Sequence, residues 1–251
     1  MSMARAPRAV VLLSGGLDSS TCLYWALARG YSCEALSVSY GQRHVRELRA
    51  ARAVARAAQV PFRSVRLSLP WLAVSSLVGR NIRLPNVALS RIGTGAIPTT
   101  YVPGRNTILL SLAASLADAA GAQAVVTGAN SLDTSGYPDC RPGFHRAFGR
   151  VLAEGTRAGA EGRPIRVLAP LIRLDKAGIV RLAGRLRVPL ERTWSCYAGG
   201  SRPCGRCDSC KLRAKGFAEA GVVDPVSRRR ASRRAPLRPS PRPSPRGRGS
   251  R

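Results

Sequence analysis

Ala9-Val10-Val11-Leu12-Leu13-Ser14-Gly15-Gly16-Leu17-Asp18-Ser19-Ser20 is an apolar run cut by two glycines and followed by polar residues. The run Ala9 to Leu13 reads as a fully buried strand. The glycines permit a tight turn and leave room for an anion. From Asp18 to Ala28 the spacing predicts a helix, with Leu23, Tyr24 and Leu27 toward one side. The N–H groups opening such a helix have no intrahelical partner, and its dipole favours negative charge there. Ser14, Ser19 and Ser20 add hydroxyl donors, so strand, loop and helix together read as a phosphate cradle. A plain Gly-Gly turn with Ser and Asp as helix caps would use the same residues. The spacing matches neither G-x-x-x-x-G-K-[ST] nor G-x-G-x-x-G.

Outward from this loop, strands and helices alternate. Glu34–Tyr40, Phe62–Leu69, Ala124–Thr127 and Ile165–Leu168 are predicted strands. Arg43–Ala58, Asn106–Ala119, Phe144–Ala158 and Asp175–Leu186 are predicted helices, and Pro70 to Pro103 reads mostly as loop. Such alternation implies an α/β fold with a doubly wound, mostly parallel sheet covered on both faces. Ligands then bind beyond the carboxyl ends of the strands, after Leu13, Tyr40, Thr127 and Leu168.

The 251 residues suit one core domain with an appendage. The expected division is a catalytic domain over 8–192, a metal-binding segment over 193–221 and a disordered Arg/Pro/Ser-rich tail over 222–251. The net charge is +28, but residues 228–251 hold ten arginines and no acid, leaving +18 elsewhere. A basic body suits anionic small molecules. Its arginines are spread rather than massed, so nucleic acid is not expected as the main partner. No secretory core and no run of ~20 apolar residues is visible, so a cytoplasmic protein without a membrane span is expected.

In a reducing compartment, seven cysteines point to metal or catalysis rather than disulfides. Cys196, Cys204, Cys207 and Cys210 form C-x7-C-x2-C-x2-C, with Gly205 allowing a tight wrap. Four thiolates close a tetrahedral structural zinc site and would tie down a segment lacking a core of its own. An iron–sulfur cluster is the rival, although the cysteine followed by proline that usually completes such a motif is absent. Cys22 and Cys33 read as buried inert thiols; the role of Cys140 stays open.

The loop resembles the S-G-G-x-D-S signature of PP-loop ATP pyrophosphatases, the adenine nucleotide α-hydrolase-like proteins. With the cysteine cluster, the chain is similar to the 7-cyano-7-deazaguanine synthases of queuosine biosynthesis. The matching stretches are Leu13 to Leu23, Tyr40-Gly41-Gln42-Arg43-His44, Tyr101-Val102-Pro103-Gly104-Arg105-Asn106, Thr127-Gly128-Ala129-Asn130, Ser135-Gly136-Tyr137-Pro138-Asp139-Cys140-Arg141, and Ser195 through Arg213. They cover most of residues 8 to 221; the Arg-rich tail has no counterpart.

The resemblance implies a ligase that uses ATP, with Mg²⁺, to adenylate 7-carboxy-7-deazaguanine. Ammonia then gives an amide, and a second ATP converts the amide to the nitrile. It also implies a homodimer. ATP would bind at Leu13, Ser14, Gly15, Gly16, Leu17, Asp18, Ser19, Ser20, Thr21, Cys22, Leu23 and Gly128. Asp18 would orient loop amides or help hold Mg²⁺. Lys176 would reach the phosphates, unless it is a surface lysine. Arg105 would clamp a phosphate or the substrate carboxylate, unless it is a solvated helix-start arginine. The ring's N–H edge calls for acidic acceptors, for which Asp133 and Asp139 are candidates, with Tyr137 stacking. The alternative for Asp139 is capping local amides. Gln42 and Arg43 line the same cleft, while His44 is given no acid–base role. With no glutaminase domain in sight, free ammonia is the expected nitrogen donor. A tRNA-thiolating PP-loop enzyme would need a sulfur-carrying cysteine outside the metal site. A non-catalytic, zinc-containing RNA-binding module would bind RNA without turning over ATP.

Overall fold

In a computed structural model, residues 6–43, 46–94 and 97–227 are described. Five strands form one sheet: β1 (Arg8–Leu12), β2 (Ser32–Ser39), β3 (Phe62–Arg66), β4 (Ala124–Val126) and β5 (Arg166–Leu168). All four pairings are parallel, in the order β3-β2-β1-β4-β5. On β1, Val10 faces Glu34 of β2 on one side and Val125 of β4 on the other. The chain leaves β1 toward β2 and β3, then returns to the other side for β4 and β5. The sheet is therefore doubly wound, with its switch point between β1 and β4.

Both faces are covered, which is why β1 from Ala9 onward and the whole of β4 are apolar on successive residues. Alternation sorts them: Ala9, Val11, Ala124 and Val126 point to one face, Val10 and Val125 to the other. The first face packs α1 (Leu17–Ala28) and α2 (Arg46–Ala57), the second α3 (Arg105–Ala120). Between β4 and β5 the chain forms α4 (Ser131–Gly136), α5 (Pro142–Gly155) and α6 (Arg157–Ala160). Beyond β5 come α7 (Lys176–Arg185) and α8 (Asp208–Glu219), with Ile179, Val180 and Phe217 completing the core under α1. Among the described residues, no helix is long and apolar enough to cross a membrane.

Several expected elements shift for identifiable reasons. The β3 strand stops at Arg66 rather than Leu69, because Leu67 N makes the last link to Ser39 O, at the end of β2. The helix expected over 144–158 begins at Pro142, whose missing N–H costs nothing in a first turn. It breaks at Thr156, whose hydroxyl instead caps α6 by accepting from Gly159 N at 3.0 Å. Asp175 is the cap of α7, not its first residue, accepting from Gly178 N at 2.7 Å. Two helices, α4 and α8, were not expected. The first lives on a capping box: Asn130 Oδ1 accepts from Leu132 N and Asp133 N, and Asp133 Oδ2 accepts from Asn130 N.

Ordered contacts run past the expected boundary at 221. Asp224 takes both arms of the buried Arg213 guanidinium, at 2.7 and 2.9 Å. His44 and the tail from Arg228 lie outside the described residues.

Candidate active site

The loop after β1 is held by its own serines. Ser14 Oγ and Ser19 Oγ share a hydrogen bond at 3.0 Å, Ser14 N donates to Ser19 Oγ at 3.2 Å, and Gly16 N donates to Ser14 Oγ at 3.3 Å. Gly16 caps α1 in extended conformation and no side chain caps that helix, so its opening N–H groups are available to an anion. Gly15 sits at φ +82°, and a Cβ there would stand 2.3 Å from Ala51 N and 2.6 Å from Glu47 O. Only glycine lets the loop lean on the backbone of α2. Gly128, after β4, approaches the same place: its Cβ would meet Ser19 N at 3.2 Å.

Asp18 is the hub. Its Oδ2 accepts from Asn130 Nδ2 at 3.1 Å and pairs with Lys176 Nζ. The Lys176 pKa is raised: burial opposes its charge, but Asp18 and Asp133 outweigh burial. Asp18 Oδ1 is buried without a partner among the described residues, an open acceptor where a cation or its water would fit. Lys176 is placed by the first turn of α7 and pressed by α8, where a Cβ on Gly216 would stand 2.7 Å from Lys176 Cβ.

A chamber of about 240 Å³ opens at the ends of β1, β2 and β4. Leu13, Ser14, Asp18, Ser19 and Gly128 line its loop side; Gln42, Arg43, Arg105 and Asp133 line the other. Thr21, Cys22 and Leu23 instead point into the core: Thr21 Oγ1 donates to Leu17 O and the Cys22 thiol to Thr127 O. Gln42 clamps the end of β2, accepting from Tyr40 N at 2.8 Å and donating to Val38 O at 3.1 Å. Arg43 donates to the carbonyls of Gly79 and Ile82, tying down the long loop. Asp139 accepts from Asn106 N at 2.9 Å and so caps the start of α3. Tyr137 bonds Thr100 Oγ1 at 2.7 Å and stacks on Tyr101, with the Arg105 guanidinium 6.0 Å from its ring centre.

Sequence reasoning missed Tyr40, Glu47 and Tyr197, all of which line the chamber. Burial pushes the Glu47 carboxyl up to about 7, partly offset by Arg105. Only for Tyr40 was there a signal, since it ends the second predicted strand. Cys140 also lines the chamber, its thiol pushed up to about 12 by burial and by Asp133.

Cys196, Cys204, Cys207 and Cys210 converge, their sulfurs all within 4.8 Å of one another. A tetrahedron with ~2.3 Å zinc–sulfur bonds has edges of about 3.8 Å, so one ion fits with a small contraction. Cys204 N donates to Cys196 Sγ and Cys207 N to Cys204 Sγ, both at 3.3 Å, the support that thiolates need. The cluster could hold a metal ion, and it is wired to the loop. Trp194 N donates to Gly15 O at 2.8 Å, and Trp194 Nε1 donates to Cys196 O at 2.9 Å. Arg213 reinforces this strand of chain from α8, donating to Thr193 Oγ1 at 2.8 Å and Ser195 Oγ at 3.2 Å.

The family described as "Queuosine biosynthesis protein QueC" matches residues 8–221. The chain is 53% identical over 225 residues to a protein of Anaeromyxobacter dehalogenans (strain 2CP-C) named 7-cyano-7-deazaguanine synthase, covering 89% of this chain and 96% of that one. A protein of the same name from Thermosynechococcus vestitus is 51% identical, with 89% and 97% covered. Among solved structures, NMN synthetase from Francisella tularensis aligns over 94% of this chain and 90% of its own, at 14% identity and a TM-score of 0.47. The cradle, the Asp18–Lys176 pair and the four-cysteine knot all lie within the matched span, and the chain belongs to the queuosine biosynthesis protein QueC family.

Proposed function

We propose that this protein converts 7-carboxy-7-deazaguanine and ammonia to 7-cyano-7-deazaguanine, consuming ATP to AMP and diphosphate. The observation that carries the reading is the joining of Asp18, Lys176 and the serine-braced glycine turn at the mouth of β1. Two relatives at 53% and 51% identity bear the name of this activity.

A carboxylate is a poor electrophile until one oxygen becomes a good leaving group. The substrate carboxylate attacks the α-phosphorus of ATP, and the P–O bond to diphosphate breaks. Charge then grows on the departing diphosphate, where preorganised donors lower the barrier most. Ser14, Gly15, Gly16 and the opening N–H groups of α1 meet it, with Lys176 beside them. Ammonia attacks the acyl adenylate, AMP leaves and the amide forms. A second ATP adenylates the amide oxygen, and loss of AMP with the amide protons leaves the nitrile. No covalent enzyme intermediate is needed.

Asp18, through its open Oδ1, would help hold Mg²⁺, which neutralises phosphate charge when bound. Arg105 is a catalytic candidate for the substrate carboxylate or a phosphate. The ring would lie against the wall that Gln42, Arg43 and Asp133 line, with Tyr137 and Asp139 behind it. Residues 8–192 form the catalytic unit and 193–221 the metal-binding segment, with zinc in the cysteine knot as a structural ion. The protein acts in the cytoplasm as a homodimer. A sulfur-transfer role is disfavoured, because burial holds Cys22, Cys33 and Cys140 as thiols.

The test is incubation with ATP, Mg²⁺, ammonium and 7-carboxy-7-deazaguanine, followed by mass spectrometry. Nitrile with AMP and diphosphate is expected. ATP turned over to ADP and phosphate would end the proposal.

A further inference from the structure

We propose that Glu47 is the acid that accepts the N–H donor edge of the substrate's ring, and so sets specificity for a guanine-type base. This rests on the reaction proposed above.

The argument begins with what is already engaged. Of the chamber's carboxylates, Asp18 is held through Oδ2 by Lys176 and Asn130, with Oδ1 already assigned to Mg²⁺, and Asp133 is held by the backbone and side chain of Asn130. Asp139 caps Asn106 N from behind the wall. Glu47 lines the same chamber, beside Tyr40, Arg105 and Tyr197, yet it takes no hydrogen bond and no ion pair from any described residue. Glu47 is half-buried and its acceptors are used by no described residue, so they remain open to donors of a ligand in the chamber. Arg105 lines the same chamber and attracts it without forming a salt bridge with it.

The chemistry fits. The ring offers two adjacent donors, the ring N–H and the exocyclic amine, and an ionised carboxylate offers two acceptor oxygens at matching spacing. Position fits as well. The Glu47 carbonyl lies where a Cβ on Gly15 would be 2.6 Å away, so the first turn of α2 is registered against the phosphate loop. A base gripped at Glu47 is thereby held at a fixed place relative to the diphosphate cradle, which is what in-line attack requires.

The experiment compares wild type, Glu47→Gln and Glu47→Asp, each checked for fold by circular dichroism. Binding of 7-carboxy-7-deazaguanine, and of its analogue lacking the exocyclic amine, is measured by calorimetry, alongside KM for ATP. In Glu47→Gln, affinity for the guanine-type acid should fall about 10- to 100-fold. Preference over the analogue should collapse, and KM for ATP should move less than about threefold. Glu47→Asp should recover part of the preference. Unchanged preference in Glu47→Gln would overturn the assignment, and so would a matching rise in KM for ATP. Wild type that binds the acid but makes no nitrile would sink the reaction instead, leaving the binding comparison to judge Glu47.

Discussion

Asp18 and Lys176, 158 residues apart in the chain, form an ion pair beneath the glycine turn that follows β1. The pair sits where the leaving diphosphate is expected, so its charges should matter more to the transition state than to the fold. Asp18→Asn and Lys176→Met should each lower kcat/KM for AMP formation by about 10²- to 10³-fold. Far-ultraviolet spectra should be unchanged. Activity within a few-fold of wild type would show that the pair is only a structural tie.

Gly15 makes a different kind of prediction, since the obstacle is backbone rather than charge. Gly15→Ala would place a Cβ 2.3 Å from Ala51 N in a left-handed conformation. A loss of about 1–3 kcal/mol in stability is expected, with ATP binding abolished. Chemical denaturation and nucleotide titration measure the two effects separately.

The cysteine knot should hold one metal ion per chain. Cys207→Ser, or prolonged chelation, should remove that ion and lower the melting temperature by about 10 °C or more. Tryptophan emission should also change, because Trp194 Nε1 donates to Cys196 O. A metal-free Cys207→Ser protein that melts and turns over normally would refute the structural role.

The half-buried carboxyl of Glu47 links stability to pH. Its pKa rises from 4.5 to about 7, chiefly by burial, so between those values the folded chain holds a proton that the unfolded chain has released. Stability from this group therefore falls as pH rises through that window, and the loss is complete above about 7. Glu47→Gln should melt like wild type near pH 4.5 and higher than wild type above pH 7. A constant difference across the range would contradict the shift.

Cys140 lines the chamber as a thiol, pushed up to about 12 by burial. Cys140→Ser should retain most of the turnover, and alkylation of the native thiol should be slow at neutral pH. Loss of activity in Cys140→Ser with normal ATP binding would revive a sulfur-transfer reading.

The fold was legible wherever local pattern and tertiary role coincide. The run Ala9 to Leu13 could hardly be anything but a central strand, and the glycines after it carry their reason in their lack of a Cβ. The four cysteines announced their convergence by spacing. What escaped was whatever depends on one segment meeting another. Glu47 looks like any surface residue of an Arg-rich helix until the start of α2 is laid against Gly15. Tyr197 gains its place only because the knot folds back on the chamber. Asn130 looks like a loop residue, yet it braces both Asp18 and Asp133. The α8 helix was hidden because its opening residues read as metal ligands.

The hydrogen bond from Trp194 to Gly15 carries a consequence for how the protein is made. The sheet's strands emerge from the ribosome before residue 170, but two braces of the nucleotide grip, Lys176 and Trp194, come after it, and the helix that presses on Lys176 comes last. A nascent or prematurely terminated chain can therefore assemble the sheet while its phosphate loop stays slack. Competence to spend ATP arrives only once residues through α8 are made and packed, so a copy cut before them has no means to burn nucleotide.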